Sequence, residues 1–209
     1  MIQYLLYRSR RTIKRALTIA LASTIAATPS IAGEAPGTRR RGFSSGFATC
    51  PVPQSRPSGT IDAGFSPYGN GEGGRLVVQA IESARERLDV AAYALTSGAI
   101  QRALERAARC GVVVRLVLDA REAARLEGVG RLASLKGAGV LVRASEPDVT
   151  MHDKIMIADR ETVQTGSFNY TASAERVNIE NVIVLWGNIP FARRFGEHFD
   201  AVWTRAADL

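Results

Sequence analysis

From residue 60 onward the apolar positions alternate between two spacings. Ile61 to Phe65 reads as a short strand. Leu76, Val77, Ala80, Ile81 and Ala84 recur at helical spacing and predict a helix over Gly74 to Arg87. Leu88 to Ala94 is an apolar strand, and Gly98 to Arg109 is a second amphipathic helix that stops at Cys110-Gly111. Val112 to Leu118 reads as a buried strand closed by Asp119. Arg121 to Gly137 is helical with breaks at Gly128 and Gly130, and Val140 to Arg143 is a strand. The second half is denser in strands. Lys154 to Ala158 and Thr162 to Thr165 flank a turn at Asp159-Arg160, a hairpin signature, and Asn178 to Trp186 is a further strand. A last helix from Pro190 to Arg205 carries Phe191, Phe195, Phe199, Val202 and Trp203 as a packing stripe. This order predicts one α/β domain over residues 60–209, with a mixed, mostly parallel central sheet flanked by helices. About 150 residues suffice for one core.

The first 59 residues follow a different pattern. Arg8 to Arg15 is basic, Ala16 to Ala27 is mildly apolar, and Ser30-Ile31-Ala32 offers a cleavage site. Residues 1–32 are therefore expected to be an export signal, loosely of twin-arginine type, which places the mature protein in the periplasm or outside the cell. The apolar run is too short for a membrane span of about 20 residues, so no stable membrane insertion is expected once the signal is removed. Residues 33–59 contain Pro36, Pro51, Pro53 and Pro57 among Gly and Ser and read as a linker or arm. In an exported chain Cys50 and Cys110 are either a disulfide or two unrelated thiols; the sequence leaves both open.

Composition narrows the function classes. With 46% hydrophobic and 22% charged residues the chain is globular rather than disordered or fibrous. Two His and two Cys, all far apart, give no zinc-type spacing, so no metal or other cofactor is expected. The net charge of +7 suggests a polyanion partner. However, residues 1–32 carry +5 and residues 33–59 carry +3, while residues 60–209 carry −1. Any polyanion site in the main body must be a local patch.

The candidate chemistry lies between Met151 and Asn169. Side chains at i and i+2 of a strand share a face, so His152 and Lys154 project together while Ile155 and Ile157 point into the core. After the turn Ser167 and Asn169 share a parity, and the hairpin can set them beside the first pair. An imidazole next to an ammonium, a hydroxyl and an amide suits phosphoryl transfer. The imidazole serves as nucleophile or base, and the donors meet charge building on the non-bridging oxygens. A carboxylate is needed to orient the imidazole, and Glu180, in Asn178-Ile179-Glu180-Asn181, is the candidate. Asp159 has the parity of the isoleucines and points away, which favours a structural role. Each of these features alone is an ordinary surface strand, turn or strand end.

Together, His152-x-Lys154-x4-Asp159-x6-Gly166-Ser167-x-Asn169 resembles the HKD signature of the phospholipase D superfamily, and Phe65 to Trp203 looks like the small bacterial endonucleases of that superfamily. The resemblance implies a phospholipase D-like fold. It also implies a catalytic set of His152, Lys154, Asp159 and Glu180, with Lys154, Ser167 and Asn169 binding phosphate. In this superfamily two copies of the motif make one site: one His forms a phosphohistidine, and the other protonates the leaving oxygen and then activates water. This chain carries one copy. His198 has Asp200 rather than Lys at +2 and is expected only to pack on the last helix. The resemblance therefore implies a homodimer in which two His152 side chains meet at a two-fold axis. It also implies metal-independent hydrolysis, with DNA or RNA as substrate. Arg121, Arg143 and Arg176 are candidate groove residues. Lipid phosphodiesters are the rival substrate class, and a non-catalytic polyanion-binding module is a third reading.

Overall fold

The computed structural model describes Cys50, Pro51 and residues 56–209. The expected export signal at 1–32 lies outside the described residues, as does most of the expected arm. The described elements run β1 (Ile61–Ser66), α1 (Glu72–Glu82), β2 (Arg87–Ala92), α2 (Gly98–Arg109), β3 (Val113–Leu118), α3 (Ala120–Gly128), α4 (Arg131–Gly137), β4 (Leu141–Ala144), β5 (Lys154–Ala158), β6 (Thr162–Gly166), α5 (Ala172–Arg176), β7 (Glu180–Leu185), α6 (Ile189–Arg205) and β8 (Ala207–Asp208).

The eight strands form one sheet in the order β1-β7-β6-β5-β2-β3-β4-β8. The mixed sheet flanked by helices is as the patterning implies, but the parallel share is smaller. Only β2–β3 and β3–β4 pair parallel, while β1–β7, β7–β6, β6–β5, β5–β2 and β4–β8 are antiparallel. The cause is local. The β5–β6 hairpin adds to the free edge of β2, and β7 then slots between β6 and β1, so the second half contributes antiparallel neighbours only.

Period-two alternation distributes the two cores. Val90, Ala92, Met156 and Ala158 join the large cluster beneath α1 to α4. Ala91, Val117, Ile155, Ile157 and Val163 face the other way, against Ala192 and Phe199 of α6. Asp89 of β2 is buried on the α6 face, where Arg87 and Arg115 neutralise it, and Arg115 reaches on to Asp200 of α6 at 2.6 Å. Arg115 also lies over the rings of Phe199 and Trp203, joining helix to sheet through charge and stacking. The stripe on α6 is buried at Phe199 and half-buried at Phe195, Val202 and Trp203, but Phe191 is exposed.

Helix α1 ends at Glu82, short of the expected Arg87. The reason is a distant carboxylate. Asp159 accepts the backbone amides of Arg85, Glu86 and Arg87, each at 2.9 Å, and so removes the donors that further helical turns would need. The short elements α5 and β8 were not expected from the sequence; five and two residues are too few to show a period. Cys50 and Cys110 form a disulfide that fastens the start of the described chain to the end of α2. No helix among the described residues is long and apolar enough to cross a membrane.

Candidate active site

Four chain segments converge at one end of the sheet: the C-terminal end of β2, the residues entering β5, the residues leaving β6, and the start of β7. Ala92 pairs with Lys154 and Ser66 with Glu180, which fixes this end in register.

His152 precedes β5 and is exposed, while Lys154 opens the strand and is buried. Lys154 Nζ donates to the His152 carbonyl at 2.7 Å, so the ammonium head returns to the level of the imidazole. Tyr93, immediately after β2, borders both residues. Its ring meets the His152 ring edge-on at 4.7 Å between centroids and lies 5.2 Å from Lys154 Nζ. Burial lowers the Lys154 pKa below the ordinary lysine value, and the nearby negative charges of Asp153 and Glu180 partly offset that shift.

Gly166 makes the turn that presents the next two residues. Its φ is +147°, and a Cβ there would sit 2.2 Å from the Asn181 carbonyl oxygen, so no other residue fits without displacing β7. Ser167 follows, exposed, donating from Oγ to Glu180 Oε2 at 2.6 Å and accepting from the Asn181 amide at 3.1 Å. Asn169 is pinned between two buried aromatics. Phe168 packs over Gly73, and Tyr170 donates from its hydroxyl to Gln164 while its backbone carbonyl accepts from Thr96 and Ser97. Burial raises the Tyr170 pKa well above its ordinary value, which keeps it a neutral scaffold group. Asn169 Oδ1 is buried and has no hydrogen-bond partner among the described residues. An amide flip would turn Nδ2, a donor, to the same position.

The structure thus gathers His152, Lys154, Ser167, Asn169 and Glu180 at one end of the sheet. The expectation that Glu180 backs the imidazole is not met within one chain. Its two oxygens accept from Ser167 Oγ and, at 3.1 Å, from Asn178 Nδ2, so it orients the serine and acts on Lys154 through charge.

Asp159 does not belong to this cluster. It lies past the far end of β5, in the hairpin turn with φ +52°, and its carboxylate is committed to the three amides before β2. Its place in the expected catalytic set is therefore corrected to a structural one. Asp159→Ala should lower stability by about 2 kcal/mol, since three amides lose a charged acceptor, while kcat/KM is unchanged. Asp159→Asn should cost less, because it tolerates the left-handed turn and keeps one acceptor. Denaturant melts and steady-state kinetics check both.

Sequence reasoning missed three participants. Tyr93 is placed by the β2–β5 pairing, and no local motif announces it. Asp153 and His198 form a 2.7 Å pair between the entry to β5 and α6, so His198 does more than pack on its helix. Of the candidate groove residues, Arg143 is committed: it pairs with Asp208 at 2.7 Å, donates to the Trp203 carbonyl and lies over the Trp203 ring. Arg121 and Arg176 are exposed. Among the described residues no group of three or more His, Cys, Asp or Glu is disposed to hold a metal ion.

The chain matches the family model described as "Cardiolipin synthase, PLD-like domain" over residues 77–203. It is 34% identical over 137 residues to the mitochondrial cardiolipin hydrolase of Homo sapiens, covering 66% of this chain and 53% of that protein. It is 36% identical over 111 residues to phospholipase D of Rickettsia prowazekii, covering 53% of each. The chain thus spans about half the length of the curated relatives it matches. Among solved structures it resembles the phospholipase D family member Nuc from Salmonella typhimurium, with a TM-score of 0.68 and 34% identity, over 72% of this chain and 97% of that one.

Proposed function

The chain belongs to the phospholipase D superfamily of phosphodiesterases, and from that premise we propose that it is a metal-independent endonuclease whose active site is shared by two copies of the chain. The observation that carries this reading is the half-site itself: one exposed imidazole, with an ammonium, a hydroxyl and an amide beside it, at an open end of the sheet. A phosphodiester exchange through a phosphohistidine needs a nucleophile and a separate proton donor. One chain supplies the first.

In this mechanism His152 of one subunit attacks phosphorus, a P–N bond forms, and the bond to the leaving oxygen breaks. His152 of the other subunit gives that oxygen its proton. It then takes a proton from water, whose oxygen attacks phosphorus and releases the first imidazole. Lys154 and Asn169 donate to the non-bridging oxygens as negative charge grows on them. Tyr93 limits the swing of the His152 ring, and Glu180 holds Ser167 toward the phosphate. Val177 and Ile179, 72% and 80% exposed just before Glu180, and Phe65 and Ile183 on the adjoining sheet face give a second copy an apolar surface next to the site.

Nucleic acid is the favoured substrate because the fold and sequence match Nuc over 72% of this chain, at 34% identity and a TM-score of 0.68. Those relatives, at 34–36% identity, support a lipid phosphodiesterase as the second reading. The Cys50–Cys110 disulfide suits an oxidising compartment and accords with export to the periplasm or beyond. Incubation with plasmid, RNA and anionic liposomes, each in EDTA, tests the assignment. Plasmid or RNA should be cut and lipid spared. Cleavage of lipid alone, or loss of all hydrolysis on chelation, would refute it.

A further inference from the structure

Beside the site, α1, the first turns of α2 and α5 enclose a groove of about 730 Å³. It opens at the same end of the sheet, and its wall is continuous with the catalytic residues, because α5 begins three residues after Asn169 and Thr96 and Ser97 both donate to the Tyr170 carbonyl. Val78 and Ile100 contribute an apolar lining, and Arg75, Arg102 and Arg176, from three different elements, stand along it. All three arginines are exposed. Among the described residues none of them forms a salt bridge, and Arg75 donates only to the Asn70 carbonyl. The one acid in the groove, Glu175, lies against the α1 backbone at Gly74; burial raises its pKa, and the Gly74 amide and the charges of Arg75 and Arg176 partly offset that shift. Residues 60–209 carry a net charge of −1. Three guanidinium groups against one carboxylate in one groove are therefore a local concentration of positive charge on a body that is otherwise net negative.

We propose that this groove is a subsite for the phosphodiester backbone of a nucleic-acid strand, holding the phosphates that flank the one being cleaved. This rests on the nuclease reading and extends it to named residues. A single scissile phosphate is already served by Lys154, Ser167 and Asn169. Cations placed farther along a continuous groove have a use only if the substrate repeats its phosphates, as a polynucleotide does. Guanidinium contacts of this kind position the strand without reading bases, so the subsite predicts length dependence rather than sequence preference.

The test uses the full chain and the triple variant Arg75→Gln/Arg102→Gln/Arg176→Gln. Hydrolysis of a fluorescent single-stranded DNA oligonucleotide is followed in EDTA between 50 and 200 mM salt, a working range of about the kind used for such slopes. Bis(p-nitrophenyl) phosphate and anionic liposomes serve as parallel substrates. For single strands each neutralised phosphate contributes about 0.7 to the slope of log affinity against log salt, so losing three contacts should make the slope shallower by about 2. Oligonucleotide kcat/KM should fall by more than about tenfold at low salt, while hydrolysis of the small diester stays at the wild-type rate. An unchanged slope and kcat/KM in a variant that still turns over the small diester would overturn the subsite and leave the nuclease reading standing. Loss of small-diester hydrolysis would also overturn it, by showing that the arginines shape the catalytic centre. Wild-type protein that ignores the oligonucleotide and hydrolyses liposomes would instead defeat the nuclease reading.

Discussion

His152→Ala should lower phosphodiester turnover by about 10⁴-fold or more, because the substitution removes the nucleophile from one half of the shared site and the proton donor from the other. Binding of an uncleaved oligonucleotide should persist, since Lys154, Ser167 and Asn169 remain. The exposed imidazole contributes little to the core, so the thermal midpoint should move little. Wild-type reactions quenched in alkaline denaturant should contain a base-stable, acid-labile phosphoryl-protein species that the variant lacks. Retention of turnover by a folded His152→Ala protein would end the covalent mechanism, and full loss of binding would point to a structural role instead.

Lys154 gives the second large effect, and it separates activity from stability. Lys154→Met removes a charge-assisted donor aimed at the transition state and should cost about 10²- to 10³-fold in kcat. The same change replaces a buried ammonium by an apolar chain of similar length, so stability should hold or rise. The pH dependence follows with a definite sign. Burial lowers the Lys154 pKa in the folded protein, so the unfolded chain binds this proton more tightly. Stability gains from this residue as pH rises through the lowered value toward the unfolded one. Activity moves the other way, because the neutral amine is a poorer donor. The alkaline limb of kcat/KM should therefore begin below the ordinary lysine range. A limb at or above that range would show that Lys154 keeps its proton for some other reason, or that it does not act on substrate.

Much of the scaffold follows from local pattern. The heptad-like spacing of Ile100, Ala103, Leu104 and Ala107, with Ser97 capping and Cys110-Gly111 closing, defines α2 without help from the rest of the fold. Strand parity is equally local, and it separates Ile155 and Ile157 from Lys154 and assigns Asp159 away from the chemistry. What sequence does not carry is the order of strands in the sheet. The alternation of strands and helices in the first half suggests a mostly parallel sheet. Nothing within β7 announces that it will lie between β1 and β6.

The same non-locality accounts for the site residues that were missed. Tyr93 reaches His152 only because β2 and β5 are neighbours, and His198 reaches Asp153 only because α6 packs across the strand ends. Arg143 shows the converse error: its charge suggested a groove, but Trp203 and Asp208, sixty and more residues later, already engage it. Glu180 was legible as a carboxylate of the site, but its partner within the chain, Ser167, depends on the kink at Gly166.

The shared site is tested most directly by mixing subunits. Wild-type protein is unfolded and refolded, or equilibrated, with increasing amounts of His152→Ala protein, and diester hydrolysis is measured per wild-type chain, with the mass of the active species determined in parallel. If each site needs His152 from both subunits, activity per wild-type chain falls in proportion to the wild-type fraction, and the active species has the mass of two chains. Activity per wild-type chain that stays constant as the inactive subunit is added, or full activity in a single-chain species, would contradict the account.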